Sequence, residues 1–253
     1  MDLLNHPLIA ERYFFPTVAP LADAVHVAVP AGTLSCWRSA PPSERPVLVH
    51  FHGNGEIVQD WMGPFVDTVR TMGWEVFLAE YRGYGASTGT PTLGAMLDED
   101  IGPIAEAVGV PQGRIVVFGR SIGSIFAIEW VRCFAGVGGL VLESGIHDLH
   151  ERLALRVRPE EVGCDAASLR AQIERRVDHA AVLAGWGGRC LVLHAEQDHL
   201  VDISHGERNA RAAGPRAELV RLPRGDHNSI LAANTDAYFA ALRRFLASIG
   251  EHL

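Results

Sequence analysis

The stretch Ile115-Val116-Val117-Phe118-Gly119-Arg120-Ser121-Ile122-Gly123-Ser124 decides the fold. Its first four residues form an unbroken apolar run, β-branched or aromatic and too short for a helix. Such a run reads as a strand buried on both faces. A segment of helical period, Ser124 to Phe134, follows at once. Between the two sits G-x-S-x-G. A serine on a sharp strand-to-helix turn takes strained dihedrals, and the flanking glycines allow backbone approach where a Cβ would clash. The turn exposes the hydroxyl and aims a helix N-terminus at it. Without this context the pattern would mean little, because the chain has 26 glycines and a Gly/Ser helix cap would give the same letters.

Working outward, short apolar runs bounded by turn formers recur: Val47 to Phe51, Glu75 to Leu78, Leu140 to Leu142, Leu191 to Leu193 and Leu219 to Leu222. Segments of helical length separate them, among them Asp60 to Met72, Leu97 to Val108 and Thr235 to Ile249. Strands alternating with helices imply right-handed βαβ units and a mostly parallel, twisted sheet with helices on both faces. Ala24 to Val29 and Leu34 to Arg38 alternate more cleanly about Pro30, Ala31 and Gly32, which predicts an antiparallel hairpin at the sheet edge. One segment breaks the rhythm. Residues 146–188 are long, charged and helix-prone, more than a crossover needs. They read as a small helical cap insertion within a single domain spanning 1–253, the plainer alternative being a long crossover and loop.

A serine hydroxyl is a poor nucleophile at neutral pH and needs a base. Among 12 histidines, position discriminates. In this strand order the acid and then the base follow the serine on loops at strand carboxyl ends. His227, in Gly225-Asp226-His227-Asn228, falls between the last strand and the last helix and is the expected base. His194, His199 and His252 are placed less well. Asp198, after the strand Leu191 to Leu193, is the expected acid that orients the imidazole. Glu143 at the preceding strand end is its main competitor, and Glu196 is a neighbour. His50-Phe51-His52-Gly53-Asn54-Gly55 ends the first parallel strand. A His-Gly turn there supplies one amide of an oxyanion hole, assigned by position to Asn54 with Gly55 next. Ile122 supplies the other. The His50/His52 pair lacks a third ligand in sequence, so no metal is expected. Arg120 is read as an exposed or salt-bridged residue rather than a substrate ligand, and Trp61 as core.

The bulk properties bound the rest. The chain has 253 residues, 48% of them hydrophobic and 21% charged, with a formal net charge of -8. No Lys/Arg-rich run supports nucleic-acid binding. No apolar run approaches the roughly 20 residues of a membrane helix, and Met1 to Pro16 has no signal-peptide pattern. Cys36, Cys133, Cys164 and Cys190 form no C-x-x-C pair and read as reduced thiols. These features favour a cytoplasmic protein without a membrane anchor. No heptad or exposed apolar helix indicates an oligomeric state.

Five stretches together carry a resemblance: His52-Gly53-Asn54-Gly55, Tyr81-Arg82-Gly83-Tyr84-Gly85-Ala86-Ser87, Gly119-Arg120-Ser121-Ile122-Gly123, Asp202-Ile203-Ser204-His205-Gly206 and Asp226-His227-Asn228. From about Ala24 to the last helix the chain resembles the α/β-hydrolase superfamily. More narrowly it resembles the abhydrolase-domain branch that includes protein depalmitoylases and bacterial homologues. The resemblance implies ester or thioester hydrolysis of a small acyl substrate, without a cofactor, by Ser121, Asp198 and His227. The lipidated cysteine-rich N-terminus of the depalmitoylases has no match here, so the resemblance does not extend to protein depalmitoylation. A peptidase, an acyltransferase or a cofactor-free haloperoxidase would keep the same three residues. A binding protein would not need them.

Overall fold

The computed structural model describes residues 3–251. Eight strands form one sheet in the order β1-β2-β4-β3-β5-β6-β7-β8. The edge hairpin forms from β1 (Val25–Val29) and β2 (Gly32–Arg38), antiparallel in the register Val25↔Cys36 to Val29↔Gly32. β2 also runs antiparallel to β4 (Glu75–Ala79). From β4 onward every pairing is parallel, through β3 (Val47–Phe51), β5 (Ile115–Arg120), β6 (Gly139–Glu143), β7 (Arg189–Ala195) and β8 (Ala217–Leu222).

The central strands are buried throughout, so their side chains divide by parity between two cores. Val49, Val117, Leu142 and Val192 face one cluster, and Leu48, Val116, Val141 and Leu191 face the other. The helices, in chain order, are α1 (Pro7–Tyr13), α2 (Val58–Trp61), α3 (Pro64–Thr71), α4 (Leu93–Ala95), α5 (Ile101–Val108), α6 (Gly123–Cys133), α7 (Leu149–Ala154), α8 (Ala166–Arg176), α9 (His179–Gly185), α10 (Ile203–Ala213), α11 (Ile230–Ala233) and α12 (Thr235–Gly250). Helices α5, α6, α9 and α10 fill the first face, and α2, α3, α11 and α12 the second. The fold is that of the α/β hydrolases.

Two expected helices differ in outline. The single helix read over Asp60 to Met72 is broken. Met62 turns extended, Gly63 takes φ +80°, and Pro64 opens α3 at a position where its missing N–H costs nothing. The helix read from Leu97 begins earlier, at Leu93, and passes through a π-helical turn, Met96–Asp100, before α5. That turn buries Asp100 against Arg82, whose Nη2 lies 2.6 Å from Asp100 Oδ1.

Residues 146–188 fold as α7, a 3-10 turn at Pro159–Val162, α8 and α9. Asp148, Asp165 and Asp178 cap the three helices by accepting from Glu151, Ser168 and Ala181 amides. Leu149, Leu169, Ile173 and Leu183 bury into the first core. These helices are therefore continuous with the body of the protein. No helix among the described residues is long and apolar enough to cross a membrane.

Candidate active site

Ser121 sits on the turn between β5 and α6 with φ +52°, a conformation that costs a non-glycine residue about 1–2 kcal/mol. Three features fix it there. Its own amide donates to Glu143 O at 2.8 Å, tying the turn to β6. Gly119 has no room for a side chain, since a Cβ would lie 2.6 Å from Gly123 O and from Ser124 Cα. Gly123 has still less, because its Cβ would lie 2.1 Å from Phe51 O. The two glycines thus let α6 pack directly on the ends of β3 and β5. Ser124 Oγ donates back to Ser121 O at 2.6 Å and accepts from Ile146 N at 2.8 Å, closing the turn.

The structure brings Ser121, His227 and Asp198 together although they lie on three loops. His227 Nε2 is 2.9 Å from Ser121 Oγ, and His227 Nδ1 is 2.7 Å from Asp198 Oδ2. A carboxylate can only accept, so Nδ1 carries the proton and Nε2 is left free to accept from the serine hydroxyl. Asp198 Oδ1 takes the amides of Leu200 (3.0 Å) and Val201 (2.8 Å). Burial pushes the Asp198 carboxyl up, but the His227 hydrogen bond and charge and the Val201 amide outweigh it, leaving the group below the usual carboxylate range. The three residues are all buried.

The competitors are engaged elsewhere. Glu143, fully buried at the end of β6, accepts a hydrogen bond from Tyr238 Oη and lies 3.0 Å from Arg120 Nε. Burial drives its carboxyl upward while the Arg120 charge pulls against that. His194 is buried on β7, with Nε2 on Val201 O at 2.8 Å, and desolvation lowers its pKa. Glu196 and His199 are exposed. His252 falls outside the described residues.

Arg120 is ion-paired, as one of its two expected forms required, but it is buried rather than exposed. Its guanidinium lies 3.0 Å from Glu143 and 2.8 Å from Glu56, and its Nη2 donates to His227 O at 2.8 Å. Glu56 in turn accepts from Gly53 N (2.7 Å) and Trp61 Nε1 (3.0 Å). One buried cation therefore ties the serine turn, the histidine loop and the turn after β3 together. Trp61 belongs to an aromatic core with His50 and Phe65 and does not line the cavity. Glu56 escaped the sequence reading, although it directly follows His52-Gly53-Asn54-Gly55.

Asn54, on the turn after β3, and Ile122 both line the cavity. Among the described residues neither amide donates to a protein acceptor. The Gly55 amide faces the Tyr84 hydroxyl instead. The Asn54 side chain is pinned, accepting from Phe15 N (3.0 Å) and Tyr84 Oη (2.7 Å) and donating to Tyr13 O. His50 and His52 serve different neighbourhoods. His50 is stacked among Trp61, Phe65 and Phe118, and burial lowers its pKa well below the ordinary value. His52 Nε2 is 2.6 Å from Glu80 Oε1. Burial opposes its charged form, but the Glu80 carboxylate wins and raises its pKa.

A cavity of about 250 Å³ opens over Ser121 and His227. Tyr13 and Phe15, Ile146, Arg152 and Arg156 complete its wall with Leu200, Val201 and Asn228. The N-terminal residues and the arginines were not foreseen. The only signal was the four-residue spacing of Arg152 and Arg156.

No protein-family model matches the chain. It is similar to the uncharacterized protein YfhR of Escherichia coli O157:H7, 25% identical over 240 residues, covering 90% of this chain and 81% of YfhR. It is also similar to α/β hydrolase domain-containing protein 17C of Homo sapiens, 26% identical over 184 residues, covering 69% of this chain and 51% of that protein. The fold matches Est1E from Butyrivibrio proteoclasticus, solved with ferulic acid bound, with a TM-score of 0.73 at 17% identity over 89% of this chain and 98% of that one. The chain has the α/β-hydrolase fold and is similar in sequence to α/β hydrolase domain-containing proteins.

Proposed function

We propose that this chain is a serine hydrolase that cleaves carboxylic ester or thioester bonds through an acyl-enzyme intermediate. The observation that carries the reading is the hydrogen-bonded series Ser121, His227, Asp198, set on a strained strand-to-helix turn beneath a small cavity. Ser121 Oγ attacks the carbonyl carbon as His227 Nε2 takes its proton. Asp198 holds the ring and stabilises the imidazolium that forms. The carbonyl oxygen gains negative charge and is met by the amides of Ile122 and Asn54, donors that strengthen as charge develops. His227 then protonates the departing alkoxide or thiolate. A water molecule, losing its proton to His227, attacks the acyl-serine and frees the acid and the serine. Every proton in the cycle is carried by groups on this chain, so no cofactor is needed. The substrate is a small molecule, since about 250 Å³ lies below the roughly 300–1,000 Å³ usual for ligand pockets. The stretch around α7 acts as a partial cover, contributing Ile146, Arg152 and Arg156 to the wall.

The test is hydrolysis of p-nitrophenyl esters of graded acyl length by the wild type and Ser121→Ala. The expected result is turnover that favours short chains and disappears in the variant. Equal rates for the two proteins, or an inert wild type, would overturn the reading.

A further inference from the structure

The chain is acidic overall, with a net charge of -8, yet among the described residues the wall of its catalytic cavity contains no carboxylate and three arginines. Arg120 is neutralised by Glu143 and Glu56. Arg152 and Arg156 are not. They stand one helical turn apart, on α7 and just beyond its end. Neither makes an ion pair among the described residues. Several arginines of the surrounding segments are paired: Arg12 with Glu161, Arg170 with Glu174, Arg176 with Asp98 and Glu129, and Arg208 with Glu151. Glu151, the carboxylate nearest in sequence, is bound through both oxygens to Arg208. The Arg156 guanidinium lies over the Phe15 ring, at 5.0 Å. That aromatic face orients the guanidinium without neutralising it.

Tyr13 shares this wall. It is buried and lines the cavity, and its hydroxyl makes no hydrogen bond within the described residues. Burial raises its pKa while both Arg152 and Arg156 act to lower it, which places the two charges within electrostatic reach of the same phenol. The phenol is therefore a neutral donor. Two guanidiniums without ion pairs, which can only donate, and an O–H free to donate share one concave surface. A cavity with low-dielectric walls focuses their field on whatever enters.

We propose that the catalytic cavity selects anionic esters, a carboxylate on the acyl or the alcohol part of the substrate docking on Arg152 and Arg156 beside the Tyr13 hydroxyl. This rests on the hydrolase reading above. Guanidinium suits the role because its planar fork meets both oxygens of a carboxylate. The two arginines are specificity-determining residues, remote from the bond that is cleaved.

The experiment compares matched pairs that differ only in charge. On the acyl side these are mono-p-nitrophenyl adipate and p-nitrophenyl hexanoate. On the alcohol side they are 4-carboxyphenyl hexanoate and 4-acetylphenyl hexanoate. One of the two pairs is expected to favour the charged member by roughly tenfold or more in kcat/KM, a preference that added salt weakens. Which pair responds tells which part of the substrate carries the anion. In Arg152→Gln/Arg156→Gln the ratio falls toward one, and in Arg152→Glu/Arg156→Glu it inverts. Hydrolysis that depends on Ser121 but shows no charge preference in either pair overturns the anion site and leaves the hydrolase reading standing. If no ester is turned over, the hydrolase reading falls. Calorimetry with adipate on the Ser121→Ala protein then decides the site itself: binding that disappears with the two arginines upholds it, and no binding overturns it.

Discussion

The ends of β5 and β6 make an instructive pair. Each adjacent parallel strand ends in a buried serine with positive φ, +52° at Ser121 and +46° at Ser144. Each serine donates its amide to the carbonyl of the next strand, Glu143 O at 2.8 Å and Leu193 O at 2.9 Å. Backbone strain is therefore common to both. What differs is the company. Ser121 opens a helix, faces a cavity and has His227 Nε2 on its hydroxyl. Ser144 leads into Gly145 and has no access to the cavity. Its hydroxyl lies beside the Asp198 carboxylate and favours the ionised form, though without a well-formed hydrogen bond. Strain positions a side chain. In the proposed function, a base and an open approach are what set Ser121 apart as the nucleophile.

The largest expected effect follows directly. Ser121→Ala should lower kcat on a p-nitrophenyl ester by roughly 10⁵–10⁶-fold, the loss when a triad nucleophile is removed. Asp198→Asn comes next, at roughly 10⁴-fold, because an amide favours the wrong imidazole tautomer. It should leave the fold in place by circular dichroism. Arg120→Met strands the buried Glu143 between β5 and β6. It should cost about 3–5 kcal/mol of stability in a denaturant melt, and Arg120→Met/Glu143→Gln should recover part of it. Ser144→Ala should change kcat by less than roughly tenfold, since its hydroxyl only lies beside Asp198, which keeps its His227 and amide partners. A Ser144→Ala loss as deep as that of Ser121→Ala would erase the contrast between the two strand ends.

The end of β3 supplies the smallest effect, on pH. Glu80 raises the pKa of His52. A raised folded-state pKa gives stability that is complete below the unfolded value, roughly 6.5, and is lost as pH rises through the folded value. Unfolding free energy should therefore fall above about pH 6.5 in the wild type more steeply than in Glu80→Gln, measured by denaturant titration across pH. Asp198 has the opposite sign. Its lowered pKa gives stability present above the usual carboxylate range and lost only as pH falls below it.

These particulars show why the sequence was legible in some places and not in others. The serine turn could be read because its constraints are local: a buried strand, two glycines that a Cβ would jam, and a helix. Asp198 and His227 could be placed by their order on successive strand ends. The hairpin of β1 and β2 followed from alternation and a Pro-Ala-Gly turn. Arg120 could not be read in full, because its partners Glu143 and Glu56 come from another strand and another loop. The break at Met62 and Gly63 was hidden by an apolar period that continues across it. Nothing local announced that Tyr13 and Phe15 fold back onto Asn54. The cavity wall draws on six separate segments, so its chemistry becomes visible only in three dimensions.

The most direct test of the contrast is covalent labelling with a fluorophosphonate, followed by peptide mass spectrometry. The account predicts a single adduct on Ser121, unchanged in Ser144→Ala and absent in Asp198→Asn at the same exposure. An unlabelled wild type, or an adduct on any residue other than Ser121, would contradict it.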